Sequence, residues 1–241
     1  MGKDRNPYGL EIIQSCLSCP AREDRLFCNL PNAAVSELNA MRQVSVYPKG
    51  SVLYVEGQSP RGVFVLCAGS AKLTMTSARG RSLIVRIAEA GEVLGLGPTV
   101  ANTPHELTAE TLEPTEVNFL PRDGVLRFLQ GHGEVALRVA QHLSMELRRA
   151  YRQAARIALA PTARAKLAGL LLDWASHQAR PTSNGACFQL RLTHEEIGEL
   201  IGSSRETVTR TLQDLCHKGA IQIKGTTVLV PDPTRLESIL D

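Results

Sequence analysis

The spacing of apolar residues along the chain changes three times, and each change marks a different kind of element. From Val44 to Leu120 apolar residues come in short β-branched runs, punctuated by Gly50, Gly57, Gly62, Gly69, Gly80, Gly91, Gly95 and Gly97. Val63-Phe64-Val65-Leu66 and Leu83-Ile84-Val85-Arg86-Ile87 read as strands. Turn signals recur about every 10 residues, which predicts a compact antiparallel barrel or sandwich. Near Pro121 the period lengthens to that of a helix. Ala136, Ala140, Leu143, Leu147, Ala150, Ala154 and Ile157 keep a 4-3-4-3-4-3 spacing. That is a coiled-coil seam, with small residues that allow close approach. A narrow stripe on a long helix favours self-pairing over packing on the chain's own barrel. Ala160-Pro161 breaks the helix, and Pro161 reads as a hinge. Thr162 to His177 reads as a further amphipathic helix, and Pro181 to Gly185 as a loop.

The third pattern runs from Leu192 to Arg210 and predicts two short helices joined by a glycine turn. Thr193 followed by Glu196, and Ser203 followed by Glu206, have the spacing of capping boxes at the two helix starts. In the second helix Val208, Leu212 and Leu215 form the buried stripe, so Arg205, Glu206, Thr209 and Arg210 point away from it. This is the layout of a helix-turn-helix whose second helix enters the DNA major groove. Gly219 ends that helix. Ala220 to Ile223 and Thr227 to Val230 flank Lys224-Gly225 as a hairpin, which in this position is a wing. An ordinary helical pair in some other domain is the alternative reading.

With 241 residues the chain has room for two domains. No apolar run approaches the ~18 residues of a membrane span. The charged N-terminus has no apolar stretch of a signal peptide, so the expected compartment is the cytoplasm, with no membrane partner. A net charge of +3 is weak evidence for nucleic acid. Residues 160–241 carry nine basic and nine acidic side chains, so the DNA-binding reading rests on motif geometry. Residues 122–156 carry seven arginines against three acids, a possible source of phosphate contacts.

A glycine-punctuated β-roll, a long dimer helix and a winged helix-turn-helix, in that order, resemble the CRP/FNR superfamily of bacterial transcription regulators. Pro48-Lys49-Gly50 with Gly57, the Gly69 and Gly91-Glu92 turns, and Ser204-Arg205-Glu206-Thr207-Val208-Thr209-Arg210 carry the resemblance over roughly residues 31–235. It implies an α+β fold with an antiparallel jelly-roll of the cyclic-nucleotide-binding type. The expected organisation is a cysteine-containing sensory segment over 1–30, the β-roll over 31–122, a dimerisation helix over 123–158 and the winged helix-turn-helix over 159–241. It further implies a homodimer on double-stranded DNA, with RNA polymerase as a partner. Ser204, Arg205, Glu206, Thr209 and Arg210 become the DNA-binding residues. An arginine fork matches guanine O6 and N7, and a carboxylate accepts from a cytosine amino group. Arg205 and Arg210 flanking Glu206 resemble the cyclic AMP receptor branch, which implies an inverted repeat of a half-site close to TGTGA.

The resemblance also frames the signal. The family's cyclic-nucleotide pocket needs a glutamate after the second glycine turn and an Arg-Ser or Arg-Thr pair. Here Leu96 or Gly97 stands at the glutamate position and Leu107 precedes Thr108, so cyclic AMP is not expected. Other small ligands of the β-roll remain open. Cys16, Cys19 and Cys28 follow a C-x2-C-x8-C spacing, and clustered cytosolic thiols are more often metal-binding or redox-active than structural disulfides. Such a cluster ahead of a β-roll looks like the FNR branch, which holds an oxygen-sensitive [4Fe-4S] cluster on three N-terminal cysteines and a fourth. The spacing to Cys28 is longer than usual, and the family's fourth cysteine falls near Asn118. Cys67 then has two readings, a fourth metal ligand or a small core hydrophobe on the Val63-Val65-Cys67 face. For Cys16, Cys19 and Cys28 a zinc site, a thiol-disulfide switch and inert thiols are the competing readings. Cys187 and Cys216 read as ordinary buried or loop cysteines. No hydrolase elbow, phosphate loop or zinc-protease motif is present, so an enzyme is not expected. A sensory module that binds protein rather than DNA is the remaining alternative.

Overall fold

A computed structural model describes residues 8–10, 15–19, 25–177, 180–182 and 185–240. Two compact units divide the chain: residues 1–77 with 85–148, and residues 149–241 with 78–84. The expectation that residues 1–30 form a sensory segment falls partly outside the described residues.

After a single 3-10 turn at Cys16–Ser18, the first unit runs α1 (Asn32–Met41), β1 (Gln43–Tyr47), β2 (Val52–Tyr54), β3 (Gly62–Ala68), β4 (Ser70–Thr76), β5 (Ser82–Glu89) and β6 (Val93–Leu94). There follow α2 (Leu96–Ala101), β7 (Thr108–Thr111), β8 (Thr115–Pro121), α3 (Arg122–Gly131) and α4 (Gly133–Leu159), whose last turns belong to the second unit. The strands form two four-stranded sheets, ordered β1-β8-β3-β6 and β2-β7-β4-β5. This is the antiparallel sandwich that the glycine-spaced runs predict.

Alternation along the strands divides the apolar residues between two cores. Leu66, Leu94 and Val117 join Leu73, Ala71, Ala109 and Tyr54 between the sheets. Val63, Val65 and Leu120 face the other way and meet Val35, Leu38, Val125, Phe128, Val135 and Val139 of α1, α3 and α4. Phe27 and Leu30, just outside α1, enter the same cluster. Each such side chain contributes roughly 1.5–3 kcal/mol by leaving water. Helix α1 was not anticipated, because half of its apolar residues are alanines and they form no clear stripe beside the strand pattern that follows.

The helix expected over 123–158 is interrupted. His132 leaves helical geometry (φ −127°, ψ 80°) between Gly131 and Gly133, so α3 and α4 are separate. The seam on α4 is also divided. Val135 and Val139 are buried, and Leu143 packs against the unit's own core rather than standing in a free seam. Ala140, Leu147, Ala150 and Ala154 remain exposed, as do Leu137, Met145 and Tyr151. One side of the helix therefore serves the β-roll, and the small-residue stripe lies on another.

The second unit adds α5 (Ala163–His177), β9 (Arg180–Thr182), β10 (Gly185–Gln189), α6 (His194–Ile201), α7 (Arg205–His217), β11 (Gln222–Lys224), β12 (Thr227–Val230) and α8 (Pro233–Glu237). Pro181 and Gly185 belong to the paired strands β9 and β10, not to a loop, and the sheet order is β11-β12-β10-β9. Leu167, Leu171, Ile197, Leu215, Ile221, Val228 and Leu236 are fully buried, and Trp174 of α5 meets Phe188 of β10 edge-on at 6.0 Å. Among the described residues no helix is long and apolar enough to cross a membrane.

Candidate functional site

The α6–α7 pair forms from local signals. Thr193 caps α6 with a complete capping box, its side chain accepting from the Glu196 N–H while Glu196 accepts from the Thr193 N–H. Gly202 ends α6 in the left-handed region at φ 65°. Gly198 has a different duty: a Cβ there would lie 2.8 Å from the Ser203 carbonyl oxygen, so only glycine admits the returning chain. The second cap differs from expectation. Ser204, not Ser203, caps α7, accepting from the Thr207 N–H at 3.2 Å. Glu206 therefore does not close a capping box with Ser203.

Val208, Leu212 and Leu215 are buried, and Arg205, Glu206 and Arg210 are exposed on the opposite side of α7. The Glu206 carboxyl is held below the ordinary carboxylate range, chiefly by its own backbone N–H and the Ser204 hydroxyl, then by Arg205 and Arg210. It is an ionised acceptor at neutral pH. Thr209 is engaged internally. Its hydroxyl donates to the Arg205 carbonyl at 2.9 Å and lies 2.9 Å from His194 Nδ1. With its single proton committed, Thr209 accepts from His194, which ties the start of α6 to α7. His194 has no signal in the sequence, since its partner lies 15 residues away. Arg164 and Lys218 meet Asp214 at 3.3 and 3.1 Å near the other end of α7. The wing forms as expected, β11 and β12 pairing around Gly225.

A second constellation lies in the first unit, around Asn118 of β8. Its Nδ2 stands 3.1 Å from Cys67 Sγ and 3.8 Å from Cys16 Sγ. Antiparallel pairing sets Asn118 opposite Val65 of β3, two residues before Cys67 on the same face. Arg42, directly after α1, reaches both partners, with Nη1 3.5 Å from Cys16 Sγ and 3.4 Å from Asn118 Oδ1. The Cys16 N–H donates to Asn39 of α1. Burial pushes the Cys67 thiol up to about 12, and Glu116, Cys28 and Cys16 lie close enough to add to the push. Burial also raises Cys16, against the pull of Arg42 and with a further push from Cys19. Cys16 and Cys67 thus flank Asn118, and Cys16, Cys19, Cys28 and Cys67 are all free thiols.

Free, largely buried thiols are the donor type that a sulfur-ligated centre uses. Cys19, Cys28 and Cys67 are buried and Cys16 half-buried. Arg25 donates through Nη2 to the Cys67 carbonyl at 3.2 Å, while its buried Nη1 finds no partner among the described residues. An orphaned cation beside buried thiols suits negatively charged sulfur. Among the described residues, however, no three Cys, His, Asp or Glu side chains stand at metal-ligating distances. Cys67 stands beside Asn118, the position at which the resemblance puts the family's fourth cysteine. The donors Arg25 and Arg42 and the acceptor Asn39 were missed, because nothing in their spacing marks them. Cys187 and Cys216 are half-buried free thiols of the other unit.

In the β-roll, the residues that follow Gly91 are engaged within the unit. Leu107 packs against the inter-sheet core, and the Thr108 hydroxyl accepts from the Glu56 N–H. Glu92 and Glu146 both pair with Arg86, at 2.8 and 2.9 Å. Buried His105 stacks on Tyr54 at 3.9 Å.

Comparison with known proteins agrees with the β-roll and with the helix-turn-helix unit. Residues 44–132 match the cyclic nucleotide-binding domain family, and residues 165–239 match the Crp-like helix-turn-helix domain family. The chain is 26% identical to a CRP-like cAMP-activated global transcriptional regulator of Mycobacterium tuberculosis, over 88% of this chain and 94% of that protein. It is also 26% identical to the transcriptional activatory protein AadR of Rhodopseudomonas palustris, over 92% and 91%. FixK2 from Bradyrhizobium japonicum shares the fold, with a TM-score of 0.72 at 24% identity, over 83% of this chain and 97% of that one. With both domain types in the family's order, the chain belongs to the CRP/FNR family of DNA-binding transcription regulators.

Proposed function

We propose that this chain is a homodimeric, sequence-specific transcription regulator switched by a redox-sensitive iron-sulfur centre on Cys16, Cys19, Cys28 and Cys67. Its target is an inverted repeat of a TGTGA-like half-site, and RNA polymerase is its downstream partner. One observation carries the sensory reading: Cys16 and Cys67, 51 residues apart in sequence, both stand beside Asn118 as free thiols. When bound, the centre supplies electron transfer and sensitivity to oxidants. Asn118 and Arg42 aim N–H donors at two of the sulfurs, which favours their negative form. Phe27 and Leu30 keep water from the Cys28 side.

On the DNA side, exposed Arg205 and Arg210 present guanidinium forks to guanine, and ionised Glu206 presents an acceptor to cytosine. Ser204 holds the first turn of α7, and Thr209 with His194 holds its seat on α6. The exposed small-residue stripe on α4 is the dimer seam, and two-fold pairing matches a palindromic site. Cyclic AMP has no place in this reading, because apolar Leu107 stands where a phosphate would need a cation.

A second reading keeps the DNA function and makes the same thiols a zinc or thiol-disulfide switch. A disulfide needs only two of the thiols to meet, whereas no group of three metal-ligating side chains stands together among the described residues. An absorbance spectrum with iron, sulfide and zinc analysis, on protein purified without oxygen, separates the two. A brown protein bleached by air, and colourless as Cys28→Ala, is the expected result. A colourless protein free of iron overturns the iron-sulfur reading and leaves DNA binding intact.

A further inference from the structure

The four cysteines are not equivalent in what they touch. Cys16 is fastened to α1 and its flank, through Asn39 and Arg42. Cys67 sits on β3. Cys28 lies in a short segment that packs on α4. The Cys28 and Asn29 N–H groups both donate to the Arg25 carbonyl, at 3.2 and 3.0 Å, which folds the segment into a tight turn. On either side of that turn Phe27 and Leu30 enter the apolar cluster that also holds Val135 and Val139 of α4. At the turn itself, Arg138 of α4 donates through Nη1 to the Asn29 carbonyl, one residue from Cys28. Arg138 lies between Val135 and Val139 in sequence and is otherwise exposed, so its guanidinium is not needed to fill the core.

We propose that Arg138 is the positioning residue that couples the Cys28 segment to α4, so that the state of the cysteine centre is passed to this helix through the Asn29 carbonyl. This rests on the sensory reading above. Arg25 completes the link on the other side, because the same turn that carries Cys28 is tied through Arg25 Nη2 to the Cys67 carbonyl. A change in what Cys28 binds moves the Asn29 carbonyl, and the charge-assisted hydrogen bond gives α4 a direct stake in that position. The apolar contacts of Phe27 and Leu30 hold the segment down without directional preference, so the directional part of the coupling falls to Arg138.

The test uses the full chain purified without oxygen, as wild type, Arg138→Ala and Arg138→Lys, each before and after exposure to air. Two quantities are read: the Kd for a duplex enriched from a random pool by the wild-type protein, and amide hydrogen exchange over residues 135–143. For wild type, the two states are expected to differ in Kd by about 5- to 150-fold, the usual range of coupling between sites. Arg138→Ala keeps the wild-type metal and sulfide content, but its Kd ratio falls to about 2-fold or less and the exchange difference on α4 disappears. Arg138→Lys retains a charged donor and restores part of both. In a Cys28→Ser background, Arg138→Ala adds no further effect. An undiminished ratio in Arg138→Ala overturns the proposal, as does loss of the metal from that variant, which would make Arg138 a support of the ligands. If wild type holds no metal yet responds to air, the iron-sulfur reading fails, and the same ratios still decide the role of Arg138. A wild-type protein indifferent to air overturns both.

Discussion

Arg210 stands four residues beyond Glu206 on α7, so the two lie on one exposed strip of the helix, with Arg205 at its start. Their exposure is a consequence of Val208, Leu212 and Leu215 being buried, and that stripe could be read from spacing alone. Arg210→Ala is expected to weaken specific binding by about 1–3 kcal/mol, while binding to unrelated DNA changes little. A gel shift with the enriched duplex and a scrambled one checks this; equal losses on both would make Arg210 a phosphate contact instead. Thr209 shows the limit of such reading. Its place on the exposed side suggested a base contact, but its hydroxyl is shared between the Arg205 carbonyl and His194. Side-chain partners 15 residues apart leave no periodic trace. The same holds for Arg42 and Asn118 around Cys16, which lie 26 and 102 residues from it.

At the level of elements, the turn between α6 and α7 sets where the recognition helix points. Gly198 is critical there because backbone, not a movable side chain, lies 2.8 Å from the site of an added Cβ. Gly198→Ala should therefore displace the Ser203 carbonyl at a cost of roughly 1–3 kcal/mol. Urea denaturation followed by far-UV circular dichroism would show the lower midpoint, and the gel shift would show a loss of operator binding. Unchanged stability would mean that the turn relaxes freely. Helix ends were the least legible features. The α7 cap lies one residue later than the Ser203-Glu206 spacing suggested, since adjacent serines offer equal chemistry and the chain's path through Gly202 selects Ser204. The α3–α4 break at His132 falls between two glycines, a local signal that the long helical pattern concealed. Strand β10 was hidden by the proline and glycine before it, although pairing with β12 makes it a central strand.

For the whole molecule, α4 is the element whose role depends on a second copy. Val135, Val139 and Leu143 serve the β-roll, whereas Leu147 is 52% exposed and Tyr151 66%. Large apolar side chains on one exposed strip with Ala140, Ala150 and Ala154 form the surface on which the proposed dimer seam rests. Leu147→Glu is expected to turn the dimer into a folded monomer. Sedimentation velocity reads the mass, and circular dichroism reads the retained fold. Operator affinity should fall by about 100-fold or more, because two linked half-site contacts become one. A wild-type monomer, or a Leu147→Glu dimer, would place the subunit contact elsewhere.

By itself the sequence determined the features that depend on neighbours within a few turns of chain. These are the glycine-spaced strands, the long helical stretch, the Thr193–Glu196 capping box, the buried stripe of α7 and the exposed strip opposite it. Each follows from periods of 2 or 3.6 residues, or from side chains that bond their own backbone. Only the tertiary structure decided which side of α4 meets the β-roll, because both stripes are apolar and spacing marks a stripe without naming what covers it. It also decided that Cys67 stands beside Asn118 and Cys16, a proximity set by strand register and by the packing of α1 on the sheet. Contacts between distant parts of a chain are created by folding, and a one-dimensional pattern does not encode them residue by residue.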